Sequence, residues 1–340
     1  MRMVAGLGIA CLCLGLAGCA SVSPSGPSAG SRTANYERAM VTLQVNARDP
    51  NAAIRANCVE ALQSSEDPRA AEVIEQGLHD PQWVVRFASC MAAGKRKAAN
   101  LKPVLLTLAK DDPNDSVRAG AVYGLYRMGD YTYLNLLLKT RNSPDASVRA
   151  NTFMVFGLLG DKSIIGLLKV SIHERDPRAK FELTAALARL GDEDAQRVIA
   201  SLVLSKVAED QWNSLMVASD LPPDAVINSL LVAVKDPLPM QGHPRELEIR
   251  RQLLAARALG KMGKITGGKL ALQYKKDASA DVRALAALAL GDLLLATEEY
   301  AVADMLSDPD PQVQIAAAAA VVNIWSKLEQ TPTGAASGKQ

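Results

Sequence analysis

Aromatic residues are scarce: Phe, Tyr and Trp together make up 4% of the 340 residues. A β-sandwich or barrel usually draws its core from aromatic and β-branched side chains, so this scarcity argues against both. Histidine occurs three times, which leaves little material for a His-based catalytic or metal centre. Neither charge sign dominates, with 38 Lys and Arg against 36 Asp and Glu and a formal net charge of +2. A protein that holds nucleic acid through its phosphates concentrates an excess of basic side chains, and no such excess exists here. Long apolar runs are also missing. The stretch Val4–Leu16 is about a dozen residues, short of the ~20 needed to span a bilayer as a helix. What the chain has in quantity is alanine, roughly a sixth of all residues, within an overall hydrophobic content of 49%. That balance is too apolar for a disordered chain and suits closely packed helices.

The N-terminus reads as an address. Met1-Arg2, the apolar run and Leu16-Ala17-Gly18-Cys19 form the pattern of a secretory signal peptide. Leu-Ala-Gly-Cys resembles the lipobox of bacterial lipoproteins. The resemblance implies cleavage before Cys19, lipid on the sulfur and amine of that residue, and residence in the bacterial cell envelope. Several acyl chains give stable anchoring where one would not. Ala20 stands where an Asp would retain such a protein at the inner membrane, so the resemblance points to the outer membrane, facing the periplasm. The resulting division is a signal peptide over 1–18, a lipidated Cys and Ser/Pro/Gly-rich tether over 19–34, a folded body over 35–328 and a loose tail over 329–340. Cys58 and Cys90 then remain. They fall one repeat apart, either as a disulfide of the oxidising periplasm or as small apolar fillers; expected helix spacing favours fillers.

The body repeats itself. Ile54-Arg55, Val85-Arg86, Val117-Arg118 and Val148-Arg149 lie 31 or 32 residues apart. The same step reaches Lys180, then Gln211. About ten extra residues precede Gln252, and the step resumes to Arg283 and Gln314. Constant spacing of this kind marks a solenoid. Each unit opens with Asp-Pro or Ser-Pro (Asp49-Pro50, Asp80-Pro81, Asp112-Pro113, Ser143-Pro144, Asp176-Pro177, Asp308-Pro309), a pattern in which Asp or Ser caps a helix and Pro starts it. An Ala-rich helix follows, and Gly often closes it, as in Leu159-Gly160 and Leu190-Gly191.

This grammar resembles HEAT repeats, of the short class found in phycobilisome lyases. The resemblance covers about residues 35–328 and implies an all-α, right-handed α-solenoid of about nine helix-pair repeats, elongated to some 70–90 Å, with its first and last helices as caps. In such repeats the matching arginine pairs with an acid of a neighbouring turn. Here Arg55, Arg86, Arg118, Arg149 and Arg283 match, Lys180 is a partial substitute, and Gln211, Gln252 and Gln314 depart. A structural ladder is thus the expected role of the arginine row.

Catalytic inventories come up short. One HEAT-repeat hydroxylase family binds two irons through repeated His-Glu pairs, and this chain has a single pair, His173-Glu174. HEAT-like DNA glycosylases need a basic groove, and lyases of the short class work in the cytoplasm, which a lipobox excludes. No phosphate loop or nucleophile elbow is present. The expectation is a non-catalytic protein with no cofactor beyond the covalent lipid on Cys19, no metal and no nucleic acid, whose partner is another protein. Two candidate surfaces follow. One is the row Phe87, Met91, Tyr123, Tyr126, Met154 and Phe181, at the second, sixth and ninth positions after the hydrophobic residue that precedes each arginine; these side chains either anchor a partner in units two to five or pack between units. The other is the loop Pro237–Glu246, either a binding edge or neutral decoration.

Overall fold

The computed structural model describes residues 29–235, 245–293 and 299–330. Cys19, most of the proposed tether, nearly all of the loop at 237–246 and the last ten residues lie outside them. The described chain is all-helical. It begins with α1 (Ala29–Asn46), which starts inside the segment expected to be tether. Helix pairs follow: α2 (Ala52–Leu62) and α3 (Pro68–Leu78), α4 (Trp83–Arg96) and α5 (Lys102–Asp111), α6 (Asp115–Arg127) and α7 (Leu134–Thr140), α8 (Ala146–Leu159) and α9 (Ile165–Lys169). The series continues through α10 (Pro177–Arg189) and α11 (Glu193–Leu202), α12 (Ala208–Ala218) and α13 (Pro223–Lys235), α14 (Arg245–Lys261) and α15 (Gly268–Tyr274), α16 (Ala280–Leu293) and α17 (Glu299–Ala303), and it ends with α18 (Pro311–Gln330).

The even-numbered helices are the Ala-rich ones, and each packs on the next even-numbered helix. Small residues set the spacing. A Cβ placed on Gly157 would stand 2.7 Å from the Cα of Ala186, and one on Gly291 would stand 2.5 Å from the Cβ of Ala320. These helices therefore approach backbone to backbone at one recurring level. The odd-numbered helices lie behind them, and one hydrophobic core runs from Tyr36 to Val322 without a break.

The array is not an open rod with caps. α18 packs directly on α2, so the nine even-numbered helices form a closed ring. α1 fits behind α18 and α2 as α3 fits behind α2 and α4. The ninth unit is thus assembled from both ends of the described chain, with α18 as its inner helix and α1 as its outer one. Tyr36 stacks on Trp325 at the seam, and Arg38 Nη2 donates to Ser307 Oγ at 3.0 Å across 269 residues of sequence. Small residues, by letting the inner helices crowd together while the outer helices keep them apart, supply the curvature that closes the ring.

The turns also differ from expectation. Of the Asp-Pro turns expected to open the Ala-rich helices ahead of α2, α4, α6 and α10, only that of α10 has its aspartate, Asp176, as the direct cap with Pro177 in the first turn. Ahead of α2, α4 and α6 the helix starts later: Asn51 caps α2 and Asn114 caps α6, while Gln82 precedes α4. The aspartate of Asp-Pro instead accepts from the backbone N–H two residues on, as Asp49 does from Asn51 (2.7 Å) and Asp80 from Gln82 (2.8 Å). This local turn holds the carboxylate away from the helix axis, where the preceding unit can reach it.

Candidate functional site: the lumen of the ring

The arginine row is spent on the ring itself. Arg55 donates through Nε and Nη2 to both oxygens of Asp80, each at 2.7 Å, and through Nη1 to the carbonyl of Asp49 at 2.8 Å. Arg86 repeats this with Asp112 and the Asp80 carbonyl, and Arg283 with Asp308 and the Asp277 carbonyl. Arg149 reaches Glu174 at 2.7 and 2.9 Å, which occupies the carboxylate of the one His-Glu pair and holds it at a pKa of about 2. A planar guanidinium satisfies such forked geometry well. Arg118 is the exception. Twenty-five residues on, where Asp80, Glu174 and Asp308 stand in other units, it finds Ser143, so it turns back to Asp115 of its own helix at 2.9 Å. Gln211 and Gln314 keep the carbonyl contact alone, donating to Ser205 (3.1 Å) and Asp308 (2.7 Å). Lys180 is exposed and Gln252 half-buried.

The aromatic row divides. Tyr123 is 5% exposed, with its ring edge where a Cβ on Gly94 would sit and Arg127 above it, so it is packing between units and not an anchor for a partner. Phe87 is half-buried and rests on Gly120. Tyr126 meets Tyr131 edge to face at 5.1 Å and is half-buried, as are Met91, Met154 and Phe181. Cys58 and Cys90 are buried free thiols, and burial pushes the Cys58 thiol up to about 12.

The cavity lies on the other side of the ring. Residues of α2, α12, α14, α16 and α18, with Lys95 at the end of α4, enclose a volume of about 620 Å³. That size falls within the range of ordinary ligand pockets. Its wall is apolar where α14, α16 and α18 meet, formed by Leu254, Leu285, Leu288 and Ile315. The inner helices all run the same way, so the cavity has two distinct mouths. At the mouth near their N-termini, Arg250 lies over the Trp212 ring, 4.2 Å from its centroid, and pairs with Asp281 at 3.1 Å. At the other mouth, Arg257 pairs with Asp292 at 3.0 Å, and Asn323 donates to the Gly291 carbonyl at 3.1 Å. Arg189 reaches Asp220 at 2.9 Å between the neighbouring units. These contacts join successive units where the outer ladder lapses at Lys180, Gln211 and Gln252.

The lining residues stand one before the repeat's hydrophobic residue and mostly two or three, six, and nine or ten after it. The stripe expected from sequence, at two, six and nine, therefore falls on this face, and Ala284, Leu288 and Ala319 of the late units line the cavity at its second and sixth steps. The apolar wall lies in the late units, where Leu288 and Ile315 stand at expected steps and Leu254 and Leu285 stand one residue past the second. Among the described residues no three His, Cys, Asp or Glu gather to hold a metal ion, and no helix is long and apolar enough to cross a membrane.

Residues 40–126 match the family model described as HEAT repeats. No curated protein matches the sequence. Among solved structures, human deoxyhypusine hydroxylase in complex with glycerol is similar at 18% identity, over 78% of this chain and 98% of that one, with a TM-score of 0.37. The complex of CpcE and CpcF of phycocyanin lyase from Nostoc sp. PCC7120 is similar at 14% identity, over 81% and 98%, with a TM-score of 0.40.

Proposed function

We propose that this repeat ring is a non-catalytic protein-interaction scaffold, held at the bacterial cell envelope by lipid on Cys19 and presenting its lumen to a partner protein. One observation carries the reading. Most of the arginine row, with Tyr123 and Phe87 of the early aromatic row, is consumed by inter-unit contacts, and the lumen is where apolar side chains and uncommitted polar groups converge around an open cavity. A HEAT-repeat match over the first units is consistent with a binding role. The Leu-Ala-Gly-Cys pattern supports the anchor, and Ala20 supports the outer membrane, periplasmic face.

In-cell photo-crosslinking tests this. A reactive residue at Met216, which is 53% exposed and lines the lumen, is expected to trap one dominant protein, while a control at Leu138, 43% exposed on α7, is not. Cys19→Ser is expected to move the protein out of the membrane fraction. Equal, diffuse products from both positions would overturn the scaffold reading, and unchanged fractionation would overturn the anchor.

A second reading, a permanent subunit of a larger envelope assembly, has its own support. Val170, Ile172, Val198 and Ile265, on or beside the outer helices α9, α11 and α15, are 74%, 59%, 46% and 66% exposed. A fixed partner over that outer face would cover them. Mass in mild detergent separates the two, since a fixed assembly does not run as a single chain.

A further inference from the structure

Nine helices at about 8–10 Å spacing put their axes on a circle about 26 Å across, and helices about 10–12 Å thick with their side chains leave a clear width of about 15 Å. One chain segment fits there; a folded domain does not. The cavity's charges identify the end of that segment. Its lining holds four cations, Lys95, Arg250, Arg257 and Lys261, against three carboxylates, Glu60, Asp281 and Asp292. Two cations are committed, Arg250 to Asp281 and Arg257 to Asp292. Lys95 and Lys261 come from opposite sides of the ring and have no ion-pair partner among the described residues; they share the single remaining acid, Glu60. One positive charge is left over at that mouth. A lysine in a last turn complements the helix dipole, but that does not account for two converging across a cavity. Burial and then Lys261 push the Lys95 ammonium below its usual range, against the pull of Glu60 and Asp220.

The walls identify the rest. Flanking the apolar surface, the carboxamides of Asn57, Gln63, Asn213 and Gln312 make no hydrogen bond within the described residues. A carboxamide offers both donor and acceptor, which matches the alternating N–H and C=O of an extended peptide. A helix has already paired its own backbone, and a lipid tail would leave the amides with nothing to bond.

We propose that the lumen binds the free carboxyl end of an extended, apolar peptide. The terminal carboxylate sits between Lys95 and Lys261, the backbone bonds the flanking carboxamides, and the last side chains lie on Leu254, Leu285, Leu288 and Ile315. The proposal rests on the scaffold reading and narrows its partner to a protein with an exposed apolar C-terminus.

The probe is a pool of N-terminally fluorescein-labelled hexapeptides of Ala, Leu, Val, Phe and Ser, made once as free acids and once as C-terminal amides. Fluorescence anisotropy is read against the full chain in mild detergent. Saturable binding is expected, with the acid pool at least about tenfold tighter than the amide pool. Lys95→Gln with Lys261→Gln is expected to erase that preference while the fold, checked by circular dichroism, stays intact. Leu285→Asn is expected to weaken both pools alike. Equal affinity for acids and amides, no saturable binding of either pool, or lysine-dependent binding of dodecanoate in place of the peptides would each overturn the proposal. If the peptide pools fail while Met216 still traps one protein in cells, the scaffold stands and this mode of binding falls.

Discussion

Tyr36 of the first helix stacks on Trp325 of the last, with ring centroids 4.7 Å apart and planes 25° from parallel. The Tyr36 hydroxyl at the same time donates to Asp67 at 3.2 Å and lies 3.3 Å from Ser65, both in the first repeat unit. One side chain therefore joins the ninth unit to the first.

Trp325→Ala is expected to cost about 2 kcal/mol, less than a full core truncation because the ring is half-buried. Urea denaturation of this variant, of Tyr36→Ala and of the double variant should return a coupling of about 0.5–1.5 kcal/mol. Small-angle scattering should show a larger radius for the double variant. Strict additivity with an unchanged radius would mean that the stack is not what holds the seam.

The rung between Arg149 and Glu174 has a definite pH signature. Its folded-state pKa of about 2 lies below the ordinary value of 4.5 because Arg149 hydrogen-bonds the carboxylate. Stability from a lowered carboxyl is present above the unfolded value and is lost as pH falls from about 4.5 toward about 2. Glu174→Gln should therefore be less stable than the parent by a few kcal/mol, on the order of 2–3, at pH 7. The gap should close through that acid window. A gap that persists at pH 2 would place the effect elsewhere.

Ser143→Asp should restore the missing rung. Ser143 Oγ already accepts from the Asp145 N–H at 3.2 Å, the same local turn that Asp80 makes, so a carboxylate fits without rebuilding the backbone. Arg118 should then swing from Asp115 to the new acid, a gain of about 0.5–1 kcal/mol in chemical denaturation. With Arg118→Ala in the background the gain should vanish; if it survives, the benefit comes from the turn alone.

Two glycines should behave oppositely. Gly291→Val drives a Cβ to 2.5 Å from that of Ala320, at a backbone contact that cannot yield, and should cost about 3 kcal/mol or prevent folding. Gly166→Ala meets nothing within 4 Å on the short helix α9, so it should be neutral or stabilising by up to about 1 kcal/mol. Similar losses at both positions would argue against tight inter-helix contact as the source of the spacing.

The helix pairs were legible because Asp-Pro, hydrophobic-Arg and Leu-Gly recur at a constant step, and each is a local chemical instruction. So was the ladder, down to its lapses at the three glutamines. The failure at Arg118 could have been read too, since Ser143 carries no charge. Closure was not legible. It depends on a small rotation per unit, set by how far Gly157 and Gly291 let neighbouring helices approach, and no residue pattern states an angle. The inward stripe was legible as a set of positions, since its second, sixth and ninth steps all occur in the cavity lining. Position alone did not tell which occupants stay open: Tyr123 and Leu288 share the sixth step, yet Tyr123 packs against Gly94 of the neighbouring unit while Leu288 lines the cavity.

The shared ninth unit alters how the molecule can come apart. In a linear repeat array each end unit has a single neighbour, so thermal fraying begins there and creeps inward one interface at a time. Here α1 and α18 occupy each other's missing places, and no unit is terminal. Releasing any one of the nine breaks two interfaces at once, so the ring resists piecemeal loss and melts as a whole.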